Sequence, residues 1–364
     1  MSNSFINIVI EGSTLFTKGY TGIPHYILSL EKALKKNSNV SLLLAYHIRK
    51  AKKMKNNTTN LPHKWYFNNF LFSFKKPQIS HSLHTPFLQI IGTKKIATIH
   101  DLAVHLPEFE NYNFTSEYFK NKRLKLFKNF AKNADAIIAV SLNTKKDFLK
   151  FFDYPEEKIH VIHLAPVFKP TKIPEALILN VLNEFSLEKG NYYLTVGGVS
   201  LRKNSFNLLK GFHLSKKHKN YKLVFAGKIV NSEKQKLDNY IKQNNLSNSI
   251  VFTNYINDKN LSVLYKNAKA FLFPTFYEGF GIPIIEAMSY RLPVLTSTTG
   301  AAREVANNHA ILVNPFDKNS IAKGILEIDK LTDDQKEAAK NHANNFTWEL
   351  VAKKTIEVYK SVLQ

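Results

Sequence analysis

The sequence predicts an α/β protein built from two successive doubly wound units. Short runs of strand length alternate with helix-period stretches along most of the chain. These runs are apolar throughout instead of at every second residue, as in a parallel sheet covered on both faces. The alternation restarts after a proline-rich interruption near the middle. A chain of 364 residues is long for one domain and comfortable for two of roughly 150–180 residues each.

In order, "INIVIEG" (6–12) reads as the first strand, ending in glycine. After the turn "KGYTG", Ile23, Ile27, Leu30 and Leu34 recur at helical spacing. "VSLLLAY" (40–46), "KKIATIHDL" (94–102), "ADAIIAVS" (134–141) and "KIHVIHLA" (158–165) are further strands, with helices over 115–133 and 143–152. "PVFKPTKIP" (166–174) carries three prolines and reads as a linker. Beyond it come strands at 191–198, 221–227, 248–256, 270–275 and 293–298, a helix at 204–217 and a terminal amphipathic helix at 347–363. The expected domains are 1–170, with 347–364 packing back on it, and 171–346.

Composition narrows the function. With no cysteine, disulfides and thiolate chemistry are excluded, in agreement with a cytoplasmic address. The N-terminal "MSNSFINIVIEGS" lacks the basic region and apolar core of a signal peptide, and no apolar run approaches a membrane span. Net charge is +23. The first 170 residues hold 25 Lys+Arg against 11 Asp+Glu, and the remainder 26 against 17. Such a field attracts phosphates, nucleic acid or anionic lipid, although a Lys- and Asn-rich composition also accounts for part of it. His81, His84, His105 and His163 show no metal-ligand spacing, and neither a P-loop nor a nucleophile elbow is present.

The stretch with the most chemical content is "YEGFGIPIIEAM" (277–288), between the strands at 270 and 293. It therefore turns at the carboxyl end of the second sheet. Pro283 suits a first helical turn, and Gly279 and Gly281 let backbone approach a ligand. Helix starts in such sheets bind anions. A carboxylate accepts both hydroxyls of a vicinal diol, so Glu286 suits a ribose and Glu278 a hexose, around a phosphate. On spacing alone, a capped helix with a solvent-facing glutamate explains the same pattern.

"EGFGIPIIE" resembles the E-x7-E signature of retaining glycosyltransferases of family 4. The resemblance continues through "PTFYEGFGIPIIEAMSYRLPVLTSTTGAAREVANNHAILVNPFD", "LTVGGVSLRKNSFNLLKGF", "TIHDLAVHLPE" and "ADAIIAVSLNTKKD", most of the chain. It is most similar to bacterial mannosyltransferase-like members that build lipopolysaccharide O-antigen or capsule. The resemblance implies a GT-B fold, with two Rossmann-like domains facing a central cleft. It also implies a nucleotide-sugar donor, neither metal nor other cofactor, and closure of the domains about 166–190 and the last helix. Among donors GDP-mannose ranks ahead of UDP-N-acetylglucosamine and UDP-glucose.

Carried over residue by residue, the resemblance assigns the donor hexose to Glu278 and the nucleotide ribose to Glu286. It places the amides around Gly279, Phe280, Gly281 and Ile282 on the sugar and diphosphate. Lys203, in "LRKN", neutralises the diphosphate, where a fixed cation stabilises the leaving charge. Gly198 stands where many members have an arginine, and Arg202 is the substitute. Gly227, Lys228, Tyr255 and Ile256 fall at the base pocket. His100 contacts the sugar near its reacting carbon, and neutral imidazole can accept or relay the acceptor proton. Asp101 either orients that histidine or caps the following loop. Gly19 and Gly22 belong to a loop approaching sugar and acceptor.

The helix 117–134 interleaves Lys120, Lys122, Arg123, Lys125, Lys128 and Lys132 with Phe119, Leu126, Phe127 and Phe130. That suits an anionic membrane surface, hence peripheral attachment to the inner face of the cytoplasmic membrane, where polyprenyl-linked acceptors reside. A core-facing helix with a solvated lysine face is the alternative. Arg49, Lys50, Lys52, Lys53 and Lys55 form a second basic cluster. A nucleic-acid-binding reading of the charge leaves Glu278 and Glu286 without a role. A catalytically silent GT-B scaffold is opposed by the intact His100, Lys203, Glu278 and Glu286, with Gly198 as its one support.

Overall fold

The computed structural model describes residues 5–16, 22–37, 39–47, 63–67, 70–71, 77–88, 90–112 and 114–364, with backbone alone at 63–67 and 70–71. The chain divides into two compact units. One comprises Met1–His105, Thr115–Ala165 and Thr347–Gln364, the other Leu106–Phe114 and Pro166–Phe346. The cluster at 49–55 and Gly19 lie outside the described residues.

The first unit contains β1 (Ile6–Glu11), α1 (Gly22–Leu34), β2 (Val40–His47), β3 (His63–Phe67), β4 (Phe70–Leu71), β5 (Ile79–Ser82), β6 (Lys94–Ile99), α2 (Glu117–Asn133), β7 (Ala136–Ala139), α3 (Leu142–Phe151) and β8 (Ile159–Val161). Its sheet runs β4-β3-β2-β1-β5-β6-β7-β8. All neighbours are parallel, except that β4 turns back antiparallel on β3 at the edge. Ile6 pairs with Val40 and Ile8 with Ile79, so strand order reverses between β1 and β5. Ile99, Ile137, Phe127, Phe130 and Phe148 form a core between the sheet and its covering helices.

The second unit contains α4 (Glu175–Glu184), β9 (Tyr192–Val196), α5 (Ser205–Leu214), β10 (Lys222–Ala226), α6 (Asn231–Gln243), β11 (Ile250–Asn254), α7 (Asp258–Asn267), β12 (Ala270–Phe273), α8 (Ile282–Ser289), β13 (Val294–Ser297), α9 (Ala302–Ala306), β14 (Ile311–Val313), α10 (Lys318–Ile328) and α11 (Asp333–Ala343). Its sheet, β11-β10-β9-β12-β13-β14, is parallel throughout. Tyr193, Leu208, Phe212, Phe225, Leu272, Leu295 and Ile325 make its core. Burying one such side chain contributes roughly 1.5–3 kcal/mol. Strand order reverses between β9 and β12, and ligands of open α/β sheets bind outside the carboxyl ends at such a point.

The last helix, α12 (Trp348–Leu363), belongs to the first unit. Trp348 packs on Tyr26 of α1, with ring centroids 5.8 Å apart, and Lys36 Nζ donates to Glu349 Oε1 at 2.6 Å. Deeper in, the Tyr359 hydroxyl shares a 2.8 Å hydrogen bond with His81 Nδ1, while His81 Nε2 lies 2.8 Å from Thr98 Oγ1. Burial lowers the His81 pKa to about 3, so this imidazole is a neutral structural tie.

The expected pattern of parallel strands and covering helices is the one found. The proline-rich segment is extended up to Pro174, the N-cap of α4. The strands β14, β3, β4 and β5 have no counterpart among the expected ones. The last of these reads ISHS, polar at three of four positions, yet all four residues are buried.

Candidate functional site

In the second unit two loops leave β9 and β12, the adjacent strands flanking the order reversal. The β12 loop ends in α8, whose N-cap Gly281 has φ 101° and whose first turn contains Pro283. Only glycine adopts that φ without strain. Both glutamates are buried, Glu278 at 7% and Glu286 at 3% exposure, which removes the reading of a capped helix with a solvent-facing glutamate.

Glu278 carries two cations. Arg202 Nη1 donates to its Oε2 at 3.0 Å and Lys203 Nζ to its Oε1 at 2.9 Å. Burial alone would raise the Glu278 pKa, but Arg202 and Lys203 outweigh it and hold the carboxyl below its usual range. Arg202 also donates to the Tyr277 carbonyl at 3.1 Å. The Lys203 ammonium sits 4.5 Å from the Phe273 ring centroid. Its stem crosses Gly197, where an added Cβ would lie 2.6 Å from Lys203 Cε.

Asn204 fixes this loop, a function its place in "RKN" does not by itself disclose. It is buried with φ 56°, and Nδ2 donates to the Pro274 and Pro315 carbonyls at 2.8 and 2.7 Å. Asparagine tolerates left-handed backbone better than most residues. The signal was available as an amide directly before a helix.

Gly198 proves to be a packing residue. With φ 77°, it lies so close to the next turn that a Cβ would fall 1.7 Å from the Lys228 carbonyl oxygen. Gly227, φ 122°, lies reciprocally against Gly198 N. Tyr255, just past β11, is 63% exposed, and Ile256 beside it is half-buried. Gly22 opens α1 with free space where a Cβ would go.

Glu286 is hydrogen-bonded within its own unit. Val167 N donates to Oε1 at 3.1 Å and Tyr265 Oη to Oε2 at 3.2 Å. Burial is the largest influence and pushes its pKa up to about 7, against hydrogen bonds from Val167, Tyr265 and Phe168. Phe280, at 4% exposure, packs on Phe346 with centroids 6.0 Å apart, while Ile282 is half-buried.

In the first unit His100 follows β6 directly. Its ring meets Tyr26 edge-on at 4.9 Å, and its Nε2 is closed to solvent without a hydrogen-bond partner. Burial first, then His84 and Arg123, lower its pKa to about 3 against the opposing pull of Asp101 and a backbone hydrogen bond to Leu83. It is neutral at pH 7. Asp101 caps the following turn, accepting from Ala103 N at 3.3 Å, one of the two roles its position allowed.

For α2 the core-facing alternative holds along one side. Phe127 and Phe130 are core residues, and Arg123, on the same stripe, turns inward to Asp101. Spacing by i, i+4 and i+7 signals this placement. What remains outward is Tyr118 and Phe119, 71% and 55% exposed, with exposed Lys122, Lys125, Lys128 and Lys132. No described helix is long and apolar enough to cross a membrane. Among the described residues no group of three or more His, Asp and Glu side chains is placed to hold a metal ion.

Two Rossmann-like domains, one with paired cations on a buried glutamate at its switch point and one with a neutral histidine at a strand end, define a GT-B protein. The comparisons agree. Residues 183–345 match the model "Glycosyl transferases group 1" and residues 21–165 the model "Glycosyltransferase Family 4". Together the two models span most of the chain, which belongs to glycosyltransferase family 4. It is 29% identical over 275 residues to O-antigen chain mannosyltransferase B of Escherichia coli, covering 73% of this chain and 70% of the relative. It is 28% identical to O-antigen chain mannosyltransferase RfbU of Salmonella typhimurium, covering 65% of this chain and 61% of that one. A glycosyltransferase from Rickettsia africae shares the fold at TM-score 0.74 and 18% identity, over 100% of this chain and 99% of that one. HepE of Anabaena, solved with UDP and glucose, does so at 0.72 and 15%, over 98% and 100%.

Proposed function

We propose that this protein transfers a hexose, foremost mannose from GDP-mannose, to a glycan or polyprenyl-linked glycan during synthesis of O-antigen or a related cell-surface polysaccharide. The observation that carries the reading is the buried Glu278 with Arg202 and Lys203 on its two oxygens. This supplies an acceptor for sugar hydroxyls beside fixed cations for a departing diphosphate. The names of the Escherichia coli and Salmonella relatives support mannose.

In this mechanism Lys203 and Arg202 bind the diphosphate and Glu278 the hexose, with the amides from Gly279 to Ile282 around them. Glu286 has acceptor capacity for ribose beyond the hydrogen bonds from Val167, Tyr265 and Phe168. The sugar–phosphate C–O bond breaks, and the acceptor oxygen bonds to the same face of the sugar, with retention of configuration. The acceptor proton passes to the departing phosphate, with neutral His100 able to accept or relay it. No metal is required, because the cations and the start of α8 take its electrostatic part.

Saturation-transfer NMR with GDP-mannose, UDP-glucose, UDP-N-acetylglucosamine and GDP tests the donor site. Expected is binding of guanine nucleotides by the wild type and its loss in Glu286→Ala. Preference for the UDP-sugars would move the donor, and binding of none by folded protein would end the donor-site assignment. The outward face of α2, Tyr118 and Phe119 with its exposed lysines, supports peripheral attachment to an anionic membrane. The protein should co-sediment with phosphatidylglycerol vesicles and be released when Lys122, Lys125 and Lys128 become glutamine; equal sedimentation of the variant would refute this attachment.

A further inference from the structure

Arg123 is a half-buried cation with its own fixed partners. Nη2 donates to the Asp101 carbonyl at 2.8 Å and reaches Asp101 Oδ1 at 3.4 Å. The guanidinium lies over the Phe127 ring, 5.4 Å from its centroid. Arg123, His84, His100, Asp101 and Thr98 line one cavity of about 40 Å³. That is room on the scale of a water molecule, not a sugar. Arg123 Nε and His100 Nε2 are both buried without a hydrogen-bond partner.

We propose that Arg123 is a positioning residue for the transfer reaction: by gripping Asp101 through both backbone and side chain, it fixes the turn that aims the His100 imidazole. The inference rests on the reading of His100 given above. Arginine suits the task because its rigid, planar guanidinium, lying over Phe127, holds Nη2 on the carbonyl and the carboxylate together, a placement that a flexible lysine ammonium does not fix. Its charge acts in the same sense as its geometry, since a cation beside an imidazole disfavours protonation. The groups facing His100 are Tyr26 from α1, His81 from β5, His84 from the loop after β5, Asp101 beside it and Arg123 from α2. Among these charged and titratable neighbours Asp101 alone favours the imidazolium, beside the backbone hydrogen bond to Leu83, and Arg123 is the neighbour that engages Asp101.

The test uses Arg123→Met and Arg123→Lys in the full-length protein. The His100 ring is titrated by NMR, its signals assigned by their absence in His100→Ala. In Arg123→Met the loss of the cation and the freeing of Asp101 both push the His100 pKa upward, by one unit or more relative to wild type. The expected kcat is lower on the order of 10²-fold, as for a misaimed catalytic group, with donor KM nearly unchanged. Arg123→Lys keeps the charge, so most of the titration shift is restored while kcat stays low. In a His100→Ala background, Arg123→Met should add no more than about a threefold loss.

An unchanged His100 titration together with unchanged kcat overturns the proposal. So does a loss that adds in full to that of His100→Ala, which marks a merely structural residue. If Arg123→Met does not fold, the kcat of Arg123→Lys decides, since the planar guanidinium is missing there too. Full activity in His100→Ala would instead remove the role of His100 itself, an outcome separate from the Arg123 titration.

Discussion

Lys203→Met should cost both catalysis and stability, for one electrostatic reason. Lys203 Nζ lies 2.9 Å from Glu278 Oε1, with the two side chains 13% and 9% exposed. Removing the ammonium leaves a buried carboxylate with Arg202 alone, and breaking one arm of such a pair costs about 2–4 kcal/mol. In the proposed transfer reaction the same cation meets the leaving diphosphate, so kcat should fall roughly 10²–10³-fold. Chemical unfolding and initial rates measure the two separately. Lys203→Met/Glu278→Gln should recover much of the stability and none of the activity. A kcat within threefold of wild type in Lys203→Met would exclude the diphosphate role, whatever the stability.

Glu286→Gln should stabilise the protein at alkaline pH and weaken donor binding. The folded-state pKa of Glu286 is raised to about 7 from an ordinary 4.5, chiefly by burial. A raised carboxyl favours folding most while protonated. That contribution is fully present below pH 4.5 and is lost as pH rises through 7. At pH 8 the wild type carries the whole cost of ionising a buried group; glutamine carries none. The expected gain is about 1–3 kcal/mol at pH 8, vanishing near pH 4. Urea unfolding at the two pH values decides it, because other titrating groups cancel between variant and wild type. An equal effect at both would mean that the folded-state pKa of Glu286 is not raised. The hydrogen bonds from Val167 N and Tyr265 Oη constrain the exchange, since an amide offers one acceptor oxygen where the carboxylate offers two.

The sequence makes the second unit more legible than the first. Its site sits in two contiguous stretches, "LRKN" and "YEGFGIPIIE", and contiguous chemistry survives without knowledge of tertiary partners. Asn204 escaped because its partners, the Pro274 and Pro315 carbonyls, lie 70 and 111 residues away. In the first unit the strand ISHS hid among polar letters, its histidine satisfied by Thr98 and by Tyr359 from the far end of the chain. The basic helix misled for the opposite reason. Its charges are conspicuous as a string, but a helix sorts residues by angle, and Arg123 falls on the same side as Phe127 and Phe130. Composition counts the cation; periodicity says which way it points.

The contact between Gly198 and the Lys228 carbonyl restricts how the proposed donor site can vary. With a Cβ at residue 198 placed 1.7 Å from that oxygen, the turn after β9 and the turn after β10 exclude every side chain there. The arginine that many family members place at this point cannot be restored here by a single substitution. It would require the two turns to part first. Variation in phosphate affinity is thereby channelled further along the loop, to Arg202 and Lys203, whose side chains have somewhere to go. Residue 198 acts as a closed position that decides which of its neighbours remain open to change.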